Sequence, residues 1–183
     1  MGADSSHPCV GPTGEIEMPH NVVLLITDQQ SAGTLSSDGN GAVSTPNIDS
    51  IARDGVSFER CYCTFPLCTP SRASIATGMY PHQVGIDQNG QPIHELFRNR
   101  ELGTLLSAAG YDCAYAGKWH VPQISMGDGH GFKPIHSIGD PGLADAVAKY
   151  LQRTRTEPFF LVISYDNPHN ICEFSHGRPL PWG

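Results

Sequence analysis

Asn21-Val22-Val23-Leu24-Leu25-Ile26-Thr27 is a continuous apolar run of strand length. A strand with one wet face alternates apolar and polar residues; this one does not, so it reads as buried on both faces of a parallel sheet. Pro158-Phe159-Phe160-Leu161-Val162-Ile163-Ser164-Tyr165 repeats the pattern near the other end. Tyr111–Gly117 reads as a further strand, and Val56–Tyr62 alternates as a strand does. Helix patterns lie between them. Pro46–Asp54 begins on proline, places Ile48, Ile51 and Ala52 at helical spacing and stops at Gly55. Glu101–Ala109 carries Leu102, Leu105 and Leu106 on one face, and Leu143–Arg155 is amphipathic. Residues 31–45, 79–100, 121–140 and 166–183 read as loops or irregular chain. Strands alternating with helices predict an α/β fold, a mostly parallel sheet flanked by helices on both faces.

The chain has 183 residues, 39% hydrophobic and 16% charged, which suits one globular domain with a real core. Residues 1–19 mix Gly, Pro, Ser and acids and read as a flexible lead-in to a domain over 20–183. A net charge of −7 without a basic stripe argues against nucleic acid as a partner. The longest apolar run, Val22–Ile26, is too short to span a membrane, so no membrane partner is expected. Met1–His20 shows no basic segment followed by an apolar one. The cytoplasm is the default compartment, and the periplasm or outside the cell would follow if a signal had been removed. Six cysteines, Cys9, Cys61, Cys63, Cys68, Cys113 and Cys172, are too few for a disulfide-built scaffold. Cys61-x-Cys63 lacks the partner pair that a zinc site needs.

Chemistry concentrates in Leu67-Cys68-Thr69-Pro70-Ser71-Arg72-Ala73-Ser74-Ile75-Ala76-Thr77-Gly78. Thr69 suits a helix cap and Pro70 a first helical position. Cys68 then stands at the positive end of a helix, where N–H groups favour an anion. Arg72, one turn in, adds a planar fork that matches a tetrahedral oxyanion. Asp28-Gln29 ends the first strand, where ligands collect in open α/β sheets, and their oxygens suit Ca²⁺ or Mg²⁺. Gly117-Lys118-Trp119-His120 follows another strand, with Lys118 and His120 spaced to point the same way along extended chain. Tyr165-Asp166-Asn167-Pro168-His169 follows the last strand.

Cys68-x-Pro70-Ser71-Arg72 closed by Thr77-Gly78, with Gly117-Lys118-Trp119-His120, resembles the sulfatase family of the alkaline-phosphatase-like superfamily. The resemblance covers about residues 20–170 and corresponds to the N-terminal part of that catalytic domain, so a truncated fold is expected. It implies hydrolysis of a sulfate ester, a small molecule or a sulfated sugar. It implies that Cys68 is oxidised to formylglycine by a formylglycine-generating enzyme. It implies a divalent cation, Ca²⁺ or Mg²⁺, on Asp28, Gln29 and the modified Cys68. Lys118 would stabilise the aldehyde hydrate and the sulfate, His120 would act as a base on the hydrate, and His169 would contact the sulfate or protonate the leaving oxygen. Asp166-Asn167 precedes Pro-His instead of glycine and is not assigned to the metal. His82 reads as structural, and His94, His130 and His136 as candidates to line a substrate cleft. Three other readings stay open: a phosphate or phosphonate monoester hydrolase of the same fold, a non-catalytic truncated fragment that lacks the second metal-ligand pair and binds an anion or pairs with another polypeptide, and a cysteine hydrolase built on Cys68.

Overall fold

A computed structural model describes residues 20–121 and 129–180; the expected lead-in, 1–19, lies outside them. Four strands form one sheet in the order β1-β4-β2-β3: β1 Val22–Asp28, β2 Asp112–Gly117, β3 Lys133–His136 and β4 Phe159–Pro168. Every ladder is parallel, as the unalternating runs require. Helices α1 Pro46–Asp54, α2 Cys68–Thr77, α3 Pro81–Val84, α4 Leu102–Ala108, α5 Leu143–Leu151 and α6 Ile171–Ser175 lie between or after the strands.

Alternate side chains divide the core in two. Ala114, Ala116, Leu161 and Ile163 face Leu143 and Tyr150 of α5. Cys113, Tyr115, Phe160 and Val162 face the other way, toward Phe132 and toward Leu102 and Leu106 of α4. Burying each large side chain of this kind contributes about 1.5–3 kcal/mol. A third cluster packs Ala73 of α2 against Val84, Ile86, Ile93 and Val121.

The structure departs from the sequence expectation in five places. Val56–Tyr62 is not a strand; Val56, Phe58 and Tyr62 are 77%, 78% and 84% exposed, with no ladder partner among the described residues. Alternation supports a strand only where a neighbouring strand completes its hydrogen bonds. β1 is not buried on both faces. Leu24 and Ile26 pack inward, but β1 is an edge strand and Val23 and Leu25 are about half exposed. Residues 79–100 are not a polar loop; α3, a 3₁₀ segment Glu95–Arg100 and three buried aliphatics brace α2. Finally, Lys133–His136 forms β3 within a stretch read as irregular, and Ile171–Ser175 forms α6 within the expected terminal loop.

His130, expected at a cleft, is instead buried. Its Nδ1 meets Glu101 Oε2, and its ring lies 4.9 Å from that of Trp119. Glu101 is fully buried at the N-terminus of α4 and needs a cationic or hydrogen-bonding partner there. Replacing His130 by Leu should cost about 3–5 kcal/mol in urea unfolding, because it leaves a buried carboxylate unpaired. The double variant Glu101→Leu/His130→Leu should recover most of that loss. A single-variant loss below about 1 kcal/mol would show the pair to be incidental.

Candidate active site

The site residues come from the carboxyl ends of three adjacent strands and from the start of α2. β1 delivers Asp28 and Gln29, β4 delivers Asp166 and His169, and β2 delivers Lys118 and His120. Since β4 lies between β1 and β2, their ends stand side by side. Gly117 makes the exit from β2 possible. It has φ +94°, and a Cβ there would sit 2.1 Å from the Ser164 carbonyl oxygen. Only glycine tolerates both.

Asp28 is the hub. Its Oδ2 accepts from Arg72 Nη2 at 3.0 Å and from Lys118 Nζ at 2.8 Å, and all three side chains are at least nine-tenths buried. Lys118 Nζ also reaches Asp166 Oδ1 at 2.7 Å. The other Asp28 oxygen, Oδ1, faces Cys68 Sγ at 3.9 Å. Ligand atoms of Asp28, Cys68 and His169 all lie within 4.8 Å of one another, the one such cluster of His, Cys, Asp and Glu among the described residues. These residues line a cavity of about 500 Å³ with Gln29, Arg72 and Asn89.

Burial alone would raise the Asp28 carboxyl, but the Lys118 hydrogen bond and the Arg72 and Lys118 charges outweigh it and hold it below its ordinary range. Burial would likewise lower Lys118, and its hydrogen bonds to Asp166 and Asp28 instead raise it. His120 has the opposite balance. Burial and the nearby Lys118 and Arg72 charges push its imidazole below the usual value, so it is neutral at neutral pH.

The helix start differs from the sequence expectation. Thr69 does not cap α2; its hydroxyl donates to the His120 carbonyl at 2.8 Å. Leu67 holds the N-cap position, and Asn89 Oδ1, twenty residues on, accepts from the Thr69 amide at 2.9 Å. Arg72 does not present a free fork. Its Nη1 donates to the Lys118 carbonyl and to Ser164 Oγ, leaving Nη2 on Asp28. Gln29, with φ +62°, lines the cavity while its amide lies 3.5 Å from Cys172 Sγ. His120 joins the backbone of this region at φ +54° but is not in the Asp28–Cys68–His169 cluster.

Three other histidines named from the sequence are engaged elsewhere. His82 stacks on Tyr80, and His94 Nδ1 accepts from the Leu96 amide at the start of the 3₁₀ segment. His136 meets the carbonyls of Ser137 and Pro141. His94 and His136 are therefore local braces, contrary to expectation, because each ring satisfies nearby backbone. Cys61 and Cys63 are exposed free thiols and hold no zinc-type cluster among the described residues.

Because the folded His120 value is depressed, the unfolded chain takes up a proton first as pH falls below about 6.5. Its contribution to stability is thus present above that pH and is lost toward the lower folded value. NMR titration should place the His120 ring below the ordinary imidazole range, and Lys118→Met should raise it. An unchanged midpoint would contradict this electrostatic reading.

The Sulfatase family model matches residues 20–179. A Bacteroides thetaiotaomicron Δ4,5-hexuronate-2-O-sulfatase is 30% identical over 183 aligned residues, covering 90% of this chain and 37% of the relative. The chain thus spans little more than a third of that relative's length. A solved 2-O GAG sulfatase superposes with a TM-score of 0.71 at 31% identity, over 88% of this chain and 37% of that one. The phosphonate monoester hydrolase of Agrobacterium radiobacter shares the fold, with a TM-score of 0.70 at 23% identity, over 82% of this chain and 41% of its own. From its strand-end site to its matched sequence, the chain belongs to the sulfatase family.

Proposed function

We propose that this protein hydrolyses a sulfate ester at the Asp28–Cys68–Lys118–His169 site, with a sulfated sugar as the substrate class. The carrying observation is the buried Asp28 carboxylate, bridged by Arg72 and Lys118 beside a thiol at a helix N-terminus. The family match supports the reaction type. Relatives named for hexuronate 2-O-sulfate and 2-O GAG chemistry support the sugar. A cavity of about 500 Å³ has the size of a small-molecule site.

The donor set fits one side of a site for a hard divalent cation. Among the described residues Asp28 Oδ1 carries no salt bridge, and Gln29 lines the same cavity. Asp28, Gln29 and an oxygenated side chain at position 68 would hold Ca²⁺ or Mg²⁺, which would add positive charge where sulfo oxygens gather. The thiol itself is a poor ligand for such an ion, which favours its conversion to an oxygen group. Oxidised to formylglycine by a modifying enzyme, residue 68 supplies a hydrated aldehyde whose hydroxyl is the nucleophile toward sulfur.

The chain's own residues do the rest. An ammonium has three N–H donors, and Lys118 gives two to Asp28 and Asp166. Its third N–H is the donor we assign to a sulfo oxygen on substrate entry. The α2 N-terminus, at Cys68, contributes partial positive charge. Arg72 acts through Asp28, fixing the carboxylate and thereby Lys118. His169, within 4.8 Å of both Asp28 and Cys68, donates a proton to the departing alcohol. His120, held neutral, accepts the proton released at residue 68 when sulfate departs.

Parallel assays with aryl sulfate and aryl phosphate test the reaction class. Sulfate should be hydrolysed preferentially, and Lys118→Met should lower turnover by about 10²–10³-fold, the loss expected for one charge-stabilising donor. Preference for phosphate would overturn the sulfate reading in favour of the phosphoryl alternative. Mass spectrometry of the Cys68 peptide from active protein should show an aldehyde in place of the thiol. Active protein that keeps the thiol would overturn the formylglycine reading.

A further inference from the structure

The parallel ladder between β1 and β4 runs in step from Val22↔Phe160 to Thr27↔Tyr165, then slips so that Asp28 pairs with Pro168. Asp166 and Asn167 are left over as a bulge, and their amides leave the ladder. One side chain collects them. Asp140 Oδ1 accepts from the Asp166 amide at 2.7 Å. Its Oδ2 accepts from the Asn167 amide at 3.0 Å and from Asn167 Nδ2 at 2.6 Å. The Asp140 carbonyl in turn accepts from the Leu143 amide at the start of α5, so the carboxylate is anchored to the helix behind the sheet.

The bulge carries two of the site's working groups. The Asp166 carbonyl accepts from the His169 amide at 3.0 Å, closing the turn that presents the imidazole. The Asp166 side chain holds Lys118. We infer that Asp140 is the positioning residue of this site, setting the place of His169 and so the protonation of the leaving oxygen. The inference rests on the role proposed above for His169. The specificity lies in the acceptor count. A carboxylate offers two acceptor oxygens to three donors, whereas an asparagine at 140 would turn an NH₂ toward one of them.

The consequence is selective. A leaving alcohol that is a poor base departs without a proton donor, but a sugar or alkyl alkoxide does not. Asp140→Ala should therefore reduce turnover of a sugar or alkyl sulfate about 10²-fold or more while reducing that of nitrophenyl sulfate by less than about tenfold. Asp140→Asn should follow the same order with smaller losses, and serves if the alanine variant does not fold. Equal losses on activated and unactivated esters in a folded variant would overturn the inference. Amide hydrogen exchange gives a readout independent of activity. Exchange at the Asp166 amide should accelerate by about tenfold or more in Asp140→Asn, because the remaining oxygen keeps the two Asn167 donors and the NH₂ faces Asp166; unchanged exchange at both the Asp166 and Asn167 amides would overturn the inference. A wild-type protein inert toward every sulfate ester would overturn the proposed reaction, and exchange would then decide the placement of the bulge alone.

Discussion

One carboxylate sets the terms for this site. Asp28 Oδ2 lies within 3.0 Å of both Arg72 and Lys118, in a place where none of the three is more than a tenth exposed. Buried charges of this kind add little net stability, because desolvation offsets their attraction. Their value is geometric. Removing any one leaves the others uncompensated, so the three are held in a single arrangement. That arrangement spans β1, α2 and the end of β2, and Asp166 extends it to β4. The strand order places these ends together, and the ion network fixes their distances.

The same logic explains why so few residues face the cavity freely. Arg72 is occupied by the Lys118 carbonyl, Ser164 and Asp28. Tyr115, buried beneath, donates to the same Lys118 carbonyl at 2.8 Å, and burial raises its phenol above the ordinary value. The inner layer therefore preorganises the outer one. Asp28 Oδ1, Cys68, Gln29 and His169 remain to meet a ligand from the cavity side. A site that is rigid underneath and open above suits reactions governed by electrostatic placement.

Much of this was legible in the sequence, for identifiable reasons. The unalternating runs at Val22 and Phe159 carried the parallel sheet, and α1 began and ended where proline and glycine predicted. Cys68 and Arg72 at a helix start and Asp28-Gln29 at a strand end stood out by spacing and chemistry, whereas the roles expected of Lys118, His120 and His169 came from the family resemblance of their motifs. What escaped depended on distance along the chain. Asn89 reaches α2 from twenty residues away, and Asp140 reaches Asp166 of β4 from twenty-six. A lone Asp in a Gly-rich loop carries no signal of the bulge it will hold. Ser164 looked like an ordinary strand residue, yet its hydroxyl accepts from Arg72. Val56–Tyr62 misled because alternation is local, whereas a ladder needs a second strand.

The most direct measurement is hydrolysis of an aryl sulfate by protein bearing the modified residue at position 68, compared with its Asp28→Asn variant. The amide keeps the shape of the carboxylate and removes the charge that Arg72 and Lys118 share. A loss of about 10³-fold or more in kcat/KM, with the fold retained by circular dichroism, is the predicted result. A variant that keeps activity within about tenfold of the wild type would contradict the account at its centre.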